Sequence, residues 1–214
     1  MPVIKLDSTS HSIQYLCKKD KRLAKVISQI GPITYVPYEN GYAFLIHEII
    51  EQMLSIKAGA KIYGRLEDLC DGIVTPSAIS ALTDEQVRGI GTSSGKVTYI
   101  RALTDSIVSG DVDLLHLTEL SDAEVIKSLT SVKGIGTWTA KMYLIFALDR
   151  QDVLPVEDVA FLQAYEWLYK TADRTPATVT AKCKKWRPYS SIAARYLYRA
   201  LDSGLTKNEF HLNK

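Results

Sequence analysis

The chain has 214 residues, 46% of them hydrophobic and 23% charged, with a formal net charge of +2. At about 100–200 residues per domain this is one domain or two small lobes sharing a core, and a near-average composition excludes disorder. Three widely spaced cysteines (Cys17, Cys70, Cys183) argue against a disulfide framework and fit a reducing cytosol, and the lack of a Cys-x-x-Cys pair excludes a zinc ribbon and a cysteine-ligated iron–sulfur cluster.

In chain order, Met1–Asp7 carries no apolar stretch of the kind a secretion signal needs. Pro32-Ile-Thr-Tyr-Val-Pro-Tyr38 is β-like but short and framed by prolines, so it is expected to be an extended linker. Apolar residues then recur at three- and four-residue spacing over Ala43–Ser55, Val97–Ser109, Ala123–Leu129, Ala140–Leu148, Val159–Lys170 and Ile192–Leu201, which predicts helices. Thr83-Asp-Glu-Gln86 and Ser121-Asp-Ala-Glu124 fit the capping box that starts a helix. The longest unbroken apolar run, Met142–Leu148, falls far short of the ~20 residues a membrane helix needs. With no strand–helix–strand alternation, the expected fold class is all-α.

The chain repeats itself internally. Val87–Leu103 aligns without gaps with Val132–Leu148, and nine of the seventeen positions are identical. Each copy is read as a short helix, a Gly-x-Gly turn (Gly89/Gly91 and Gly134/Gly136) and a second helix. Glycines there permit positive φ and close backbone approach. The first N–H groups of the following helix, with its dipole, can hold an anion such as a backbone phosphate. An ordinary αα-hairpin is the plainer reading of one such turn. The dinucleotide fingerprint fails for want of a third glycine and a strand, and Gly91-Thr-Ser-Ser-Gly-Lys96-Val97 is one residue short of a nucleotide phosphate loop. His47-Glu-Ile-Ile-Glu51 lacks the second histidine of a zinc-protease motif, and His11, His116 and His211 show no metal spacing.

Leu129–Ala140 and Leu154-Pro-Val-Glu-Asp-Val-Ala160 resemble the helix-hairpin-helix DNA glycosylases, and within them the 3-methyladenine DNA glycosylase II branch of alkylation repair. Phe44–Ser55, Ile145-Phe-Ala-Leu-Asp-Arg150 and Trp186-Arg-Pro-Tyr-Ser-Ser-Ile-Ala-Ala194 carry the same resemblance, which spans about Tyr42 to Leu201. It implies a two-lobed all-α fold without the N-terminal β-domain of larger members. Residues 41–147 would form a central lobe with the hairpin, residues 1–40 plus 148–214 the second, and the active-site cleft would lie between them.

The resemblance assigns roles by position. Asp158 falls where the family's catalytic aspartate stands, and a carboxylate there stabilises an oxocarbenium-like state or activates water. The sequence alone also allows Asp158 to be only a helix cap, with Glu157 the neighbouring alternative. Trp138, Trp186, Tyr189 and Met142 are the expected base pocket. An aromatic face suits a cationic alkylated purine, although Trp138 read by itself is equally a core tryptophan. Strand-cutting relatives have a Schiff-base lysine at the place of Trp138, so a monofunctional glycosylase is implied. Gln52, Met53 and Ser55 match a minor-groove segment in which a side chain fills the gap left by an extruded nucleotide; Met53 is the candidate wedge, or a core filler. Lys133, Gly134, Gly136, Thr137, Gly89, Gly91 and Lys96 are the expected phosphate contacts. The carbonyls of Thr130, Val132 and Ile135 match a structural site for Na+ or K+; no organic cofactor is implied. Lys182, Lys184, Lys185, Arg187, Arg195 and Arg199 either track phosphates or form a solvated face.

The expected activity is therefore base-excision repair on double-stranded DNA containing alkylated bases, by a monomer, in the cytoplasm with the nucleoid or in a nucleus according to the source. A lesion-binding module without chemistry, a glycosylase of the same fold with another base preference, and a helical protein–protein module are the rival readings.

Overall fold

The structure, a computed structural model, describes residues 2–212. The chain divides into two compact units. One runs from Tyr38 to Leu148; the other joins the residues up to Pro37 with those from Asp149 onward. These boundaries lie within a few residues of the expected 41 and 147.

The discontinuous unit contains strands β1 (Ile4–Leu6) and β2 (Ile33–Tyr35) and helices α1 (His11–Lys19) and α2 (Lys21–Ile30). From the distal part of the chain come α10 (Val159–Tyr169), α11 (Pro176–Cys183) and α12 (Ser190–Asp202). Its core gathers Leu16, Leu23 and Val26 with Phe161, Tyr165, Trp186, Tyr196 and Leu197. Burying each such side chain contributes about 1.5–3 kcal/mol, so the two distant chain segments fold as one body.

The expected linker at 32–38 is corrected. Ile33–Tyr35 pairs antiparallel with Ile4–Leu6, in the register Ile4–Tyr35, Lys5–Thr34, Leu6–Ile33. Both segments alternate apolar and polar residues, so this register sets Leu6 opposite Ile33 with both buried. The signal was present in each strand, but the partner lies across two helices and cannot be read locally.

The continuous unit holds α3 (Gly41–Glu51), α4 (Ile56–Leu69), α5 (Pro76–Ala81), α6 (Asp84–Gly89), α7 (Ser94–Val108), α8 (Asp122–Thr130) and α9 (Thr137–Phe146). Both expected capping boxes form: the Thr83 hydroxyl accepts from the Gln86 amide, and Ser121 from Glu124, each with the reciprocal bond. Helix α9 is apolar nearly all round and buries Thr139, Ala140 and Met142–Ile145, the pattern of a central helix. It packs beside α3 and α8.

The helix expected over Ala43–Ser55 is also corrected. α3 ends at Glu51 and the chain reverses before Ser55 caps α4. Gln52 has φ −45° and ψ 125°, Met53 has φ +59°, and the Leu54 amide donates to the Glu51 carbonyl at 2.9 Å. This is a type II turn, whose third residue is ordinarily glycine.

Candidate functional site

The two repeat copies differ in backbone. In the second, Gly134 takes φ +94°, and Gly136 caps α9 with no side-chain partner. In the first, the positive φ (+104°) moves to Gly91, the residue aligned with Gly136. Gly89, aligned with Gly134, is simply the last residue of α6. α7 starts two positions later in the alignment than α9, and Ser93 caps it by accepting from the Lys96 amide at 3.3 Å.

This difference has a chemical consequence. A helix start capped by its own serine has given away one of its free donors, whereas a glycine cap has no side chain with which to take one from an incoming anion. The second hairpin is thus suited to a phosphate. Lys133, Gly136 and Thr137 are exposed there. The first hairpin does not reproduce the geometry expected for Gly89 and Gly91. Arg65 donates to its Ile90 carbonyl at 2.8 Å and braces the turn from α4.

Gly134 is required for a second reason. A Cβ there would sit 2.1 Å from Tyr99 Cγ. Tyr99, on α7 of the first copy, therefore packs directly against the turn of the second. Its role was not visible in the sequence, where it looks like any half-buried helical tyrosine.

Lys96 is not placed as a phosphate contact. Its ammonium donates to the carbonyls of Ile50 at 2.6 Å and Gln52 at 2.7 Å, and burial pulls its pKa below the ordinary lysine value. Gln52 in turn donates from its amide to the Gly134 carbonyl at 3.0 Å. Gln52, Lys96 and Gly134 thus form one cluster. Met53 projects beside it with its side chain fully exposed, and the Ser55 hydroxyl accepts from the Ala58 amide at the start of α4. A fully exposed Met in a left-handed conformation is not core filler. Such a backbone conformation costs ~1–3 kcal/mol and persists only where the surroundings hold it.

Thr130 ends α8, and Val132 and Ile135 lie in the turn. Thr130 contributes one of the last carbonyls of α8, which lack intrahelical partners and are the kind of oxygen that suits a hard cation, whereas Val132 and Ile135 lie beyond the helix. The Val132 carbonyl keeps one lone pair engaged by the Ile135 amide at 3.1 Å. Elsewhere His47, Glu48 and Glu51 bring their ligating atoms within 4.8 Å of one another. Their grouping is accounted for by ion pairing: His47 meets Glu51 at 3.4 Å and Glu48 at 3.8 Å, and the Glu48 contact raises the imidazole pKa.

In the other unit, Asp158 caps α10. Its Oδ1 accepts from the Phe161 amide at 2.6 Å, and its own amide donates to the Pro155 carbonyl at 3.0 Å. The residue is only 8% exposed. A carboxylate fixed in that way has one geometry and little water around it, which strengthens its field on a neighbouring charge. The cap sets the orientation of the carboxylate.

The loop that delivers Asp158 is fastened to the start of α12. The Val153 amide donates to the Ser191 hydroxyl at 2.9 Å, and the Ser191 amide to the Gln151 carbonyl at 2.9 Å. The Ser190 hydroxyl donates to Asp152 at 2.7 Å, and Arg187 Nε donates to the same carboxylate at 2.7 Å. This gives the Arg-Pro-Tyr-Ser-Ser stretch a purpose that its sequence did not state.

Trp186 is corrected as a pocket wall. It is fully buried, lies edge-on to Phe161 at 6.4 Å, and donates its indole N–H to Asp20 at 3.0 Å. Asp20 also accepts from Tyr169 and pairs with Lys185 at 3.0 Å, while its Oδ1 caps α2. Burial pushes the Asp20 pKa up, but the bonds from Tyr169, Lys185 and Trp186 outweigh it and hold the carboxyl below its ordinary value. Met142 is likewise buried, at 4% exposure, one turn along α9 from the half-buried Trp138. Tyr189 is half-buried; its hydroxyl meets His11 Nδ1 at 2.9 Å and its ring stands edge-on to Tyr15. Trp138 and Tyr189 are thus each half-buried within their own unit, whereas Trp186 and Met142 are buried.

Comparison with known proteins bears on the family of the chain and on its fold. DNA-3-methyladenine glycosylase 1 of Schizosaccharomyces pombe is 31% identical over 183 residues, 84% of this chain and 80% of its own. The crystal structure of a DNA-3-methyladenine glycosidase from Bacillus halodurans superposes with a TM-score of 0.84 at 33% identity, covering 96% of both chains. The S. pombe 3-methyladenine DNA glycosylase Mag1, solved in complex with abasic DNA, superposes at 0.81 with 27% identity, over 90% of this chain and 97% of that one. A sequence model of the HhH-GPD superfamily base excision DNA repair proteins matches residues 46–188, two thirds of the chain, and the chain belongs to that superfamily.

Proposed function

We propose that this protein is a monofunctional DNA glycosylase that removes alkylated purines such as 3-methyladenine from duplex DNA. The observation that carries the proposal is Asp158, a buried carboxylate fixed at the start of α10; the sequence resemblance assigns the family's catalytic aspartate to the same residue. Hydrolysis breaks the C1′–N bond, and the bonding pair leaves with the purine. Water adds its oxygen to C1′ and gives up a proton. An alkylated purine carries a positive charge and leaves as a neutral base, so the enzyme's main task is to stabilise the positive charge growing on the sugar. A carboxylate does this electrostatically.

The other residues take supporting roles. The uncapped start of α9, with Lys133 nearby, receives a backbone phosphate. Met53 fills the gap left by the extruded nucleotide. Trp138 offers a ring face to the cationic base, a contact of about 0.5–2 kcal/mol. The carbonyls of Thr130, Val132 and Ile135 would hold Na+ or K+ as a structural bridge to phosphate. With tryptophan at 138 there is no amine to attack C1′, so strand cleavage is not expected.

Chromatography of the bases released from methylated duplex DNA tests this reading, with borohydride trapping alongside. The proposal predicts free 3-methyladenine and no covalent protein–DNA adduct. Lesion binding without base release would favour a non-catalytic module, and a borohydride adduct would overturn the monofunctional assignment.

A further inference from the structure

We infer that Lys96 is a positioning residue that holds the Met53 tip, acting inward on protein carbonyls and not outward on DNA. The inference rests on the reading that this tip enters the DNA. Three observations support it. The ammonium spans the carbonyls of Ile50 and Gln52, the last turn of α3 and the second residue of the type II turn. A helix end carries unsatisfied carbonyls and partial negative charge, so a lysine placed there is satisfied without any phosphate. The turn it braces holds a non-glycine residue at φ +59°, a conformation that persists only when its surroundings over-determine it.

Gln52 completes the brace by donating to Gly134. The tip is thereby tied to both repeat copies: through Lys96 to α7 of the first, and through Gln52 to the turn of the second. Tyr99, one turn beyond Lys96 on α7, closes the arrangement against Gly134. This divides the labour of the repeat. The second copy presents a helix start with no side-chain cap, whereas the lysine of the first sets the position of an apolar side chain. Burial of the Lys96 ammonium agrees with an inward role.

Lys96→Met in the full-length protein tests the inference, with Lys96→Arg as a milder variant that keeps the charge. Single-turnover base release from methylated duplex DNA should fall about tenfold in K96M, the effect of losing a charge-assisted hydrogen bond that matters for the reacting geometry. The salt dependence of binding to a duplex with a tetrahydrofuran abasic analogue should keep its slope, since no phosphate contact is lost. In a Met53→Gly background, K96M should cause no further loss, because the side chain it positions is already gone. Exchange of the Leu54 amide, which closes the turn on Glu51, should quicken about tenfold in K96M.

A salt slope smaller by about one would show that Lys96 reaches a phosphate and would overturn the inference. So would an equal loss of release in the parent and Met53→Gly backgrounds, or Leu54 exchange unchanged in both Lys96 variants. If the parent releases no base, the proposed function fails, while the exchange and salt measurements still decide the role of Lys96.

Discussion

Replacing Gly134 and Gly89 by alanine, one at a time, puts the difference between the two repeat copies to a direct test. The two glycines occupy the same place in the aligned repeat, yet the structure demands opposite outcomes. At Gly134 an alanine meets two penalties. Its φ of +94° is outside the range L-residues favour, at a cost of about 1–2 kcal/mol. Its Cβ would stand 2.1 Å from Tyr99 Cγ, so the ring must move, adding about 1–3 kcal/mol. Together these reach about 2–5 kcal/mol, or a Tm lower by on the order of 5–15 °C for a chain of this size. At Gly89 the φ is not positive and nothing lies within 4 Å of the added methyl. There alanine restricts the unfolded chain and helps the helix, for a gain of about 0.5–1 kcal/mol. Thermal unfolding of the three proteins, followed by circular dichroism, reads out both changes. Tyr99→Ala should cost less in the Gly134→Ala background than alone, since the clash is then relieved. Equal shifts for the two alanine variants would refute the claim that the copies have diverged in backbone.

Further outcomes follow from the same geometry. Met53→Gly removes a fully exposed side chain and relieves the left-handed strain, so chemical denaturation should show stability unchanged or raised by up to about 1 kcal/mol, while single-turnover base release falls. Asp20→Ala leaves the buried Trp186 indole N–H and the half-buried Tyr169 hydroxyl without their acceptor and should cost about 3–5 kcal/mol at neutral pH. The folded pKa of Asp20 is depressed, so its contribution is present above the unfolded value of about 3.9 and is lost as pH falls through the folded value. The gap between parent and Asp20→Ala in urea unfolding should therefore narrow below about pH 4, and a gap that widened there would contradict the assignment. Ser191→Ala strands the buried Val153 amide at a cost of about 1–3 kcal/mol, and faster amide exchange across residues 151–158 should report the loosened loop.

Much of this molecule was legible in its sequence because the signals are local. Three- and four-residue spacing marked six helical segments, a hydroxyl–amide and a hydroxyl–acid capping box marked the starts of α6 and α8, and the Gly-Ile-Gly repeat marked both turns. What stayed hidden depends on partners distant in the chain. β2 became a strand because Ile4–Leu6 offered it an edge. The run from Ala43 broke at Gln52 because Lys96, far along the chain, supplies donors that favour the reversal. Identity between the repeats concealed their divergence: the same Gly-Ile-Gly-Thr string moves its positive φ from one glycine to the other, depending on whether serine or glycine caps the next helix. Trp186 and Met142 matched a motif, but a motif says which residue stands at a position and not which way it faces. In Trp186 the deciding feature is Asp20, whose carboxylate claims the indole N–H from a helix start at the opposite end of the sequence.

The central claim is that Asp158 is both a helix cap and the group that stabilises the reacting sugar. Asparagine caps a helix about as well as aspartate, so Asp158→Asn keeps the fold and removes only the charge. Base release from methylated duplex DNA, measured under single-turnover conditions for the parent and Asp158→Asn, is the direct test. The account predicts release by the parent, a loss of at least about 100-fold in the variant, and binding to an abasic-analogue duplex retained in both. Equal release by the two proteins would contradict it and move the catalytic charge away from Asp158.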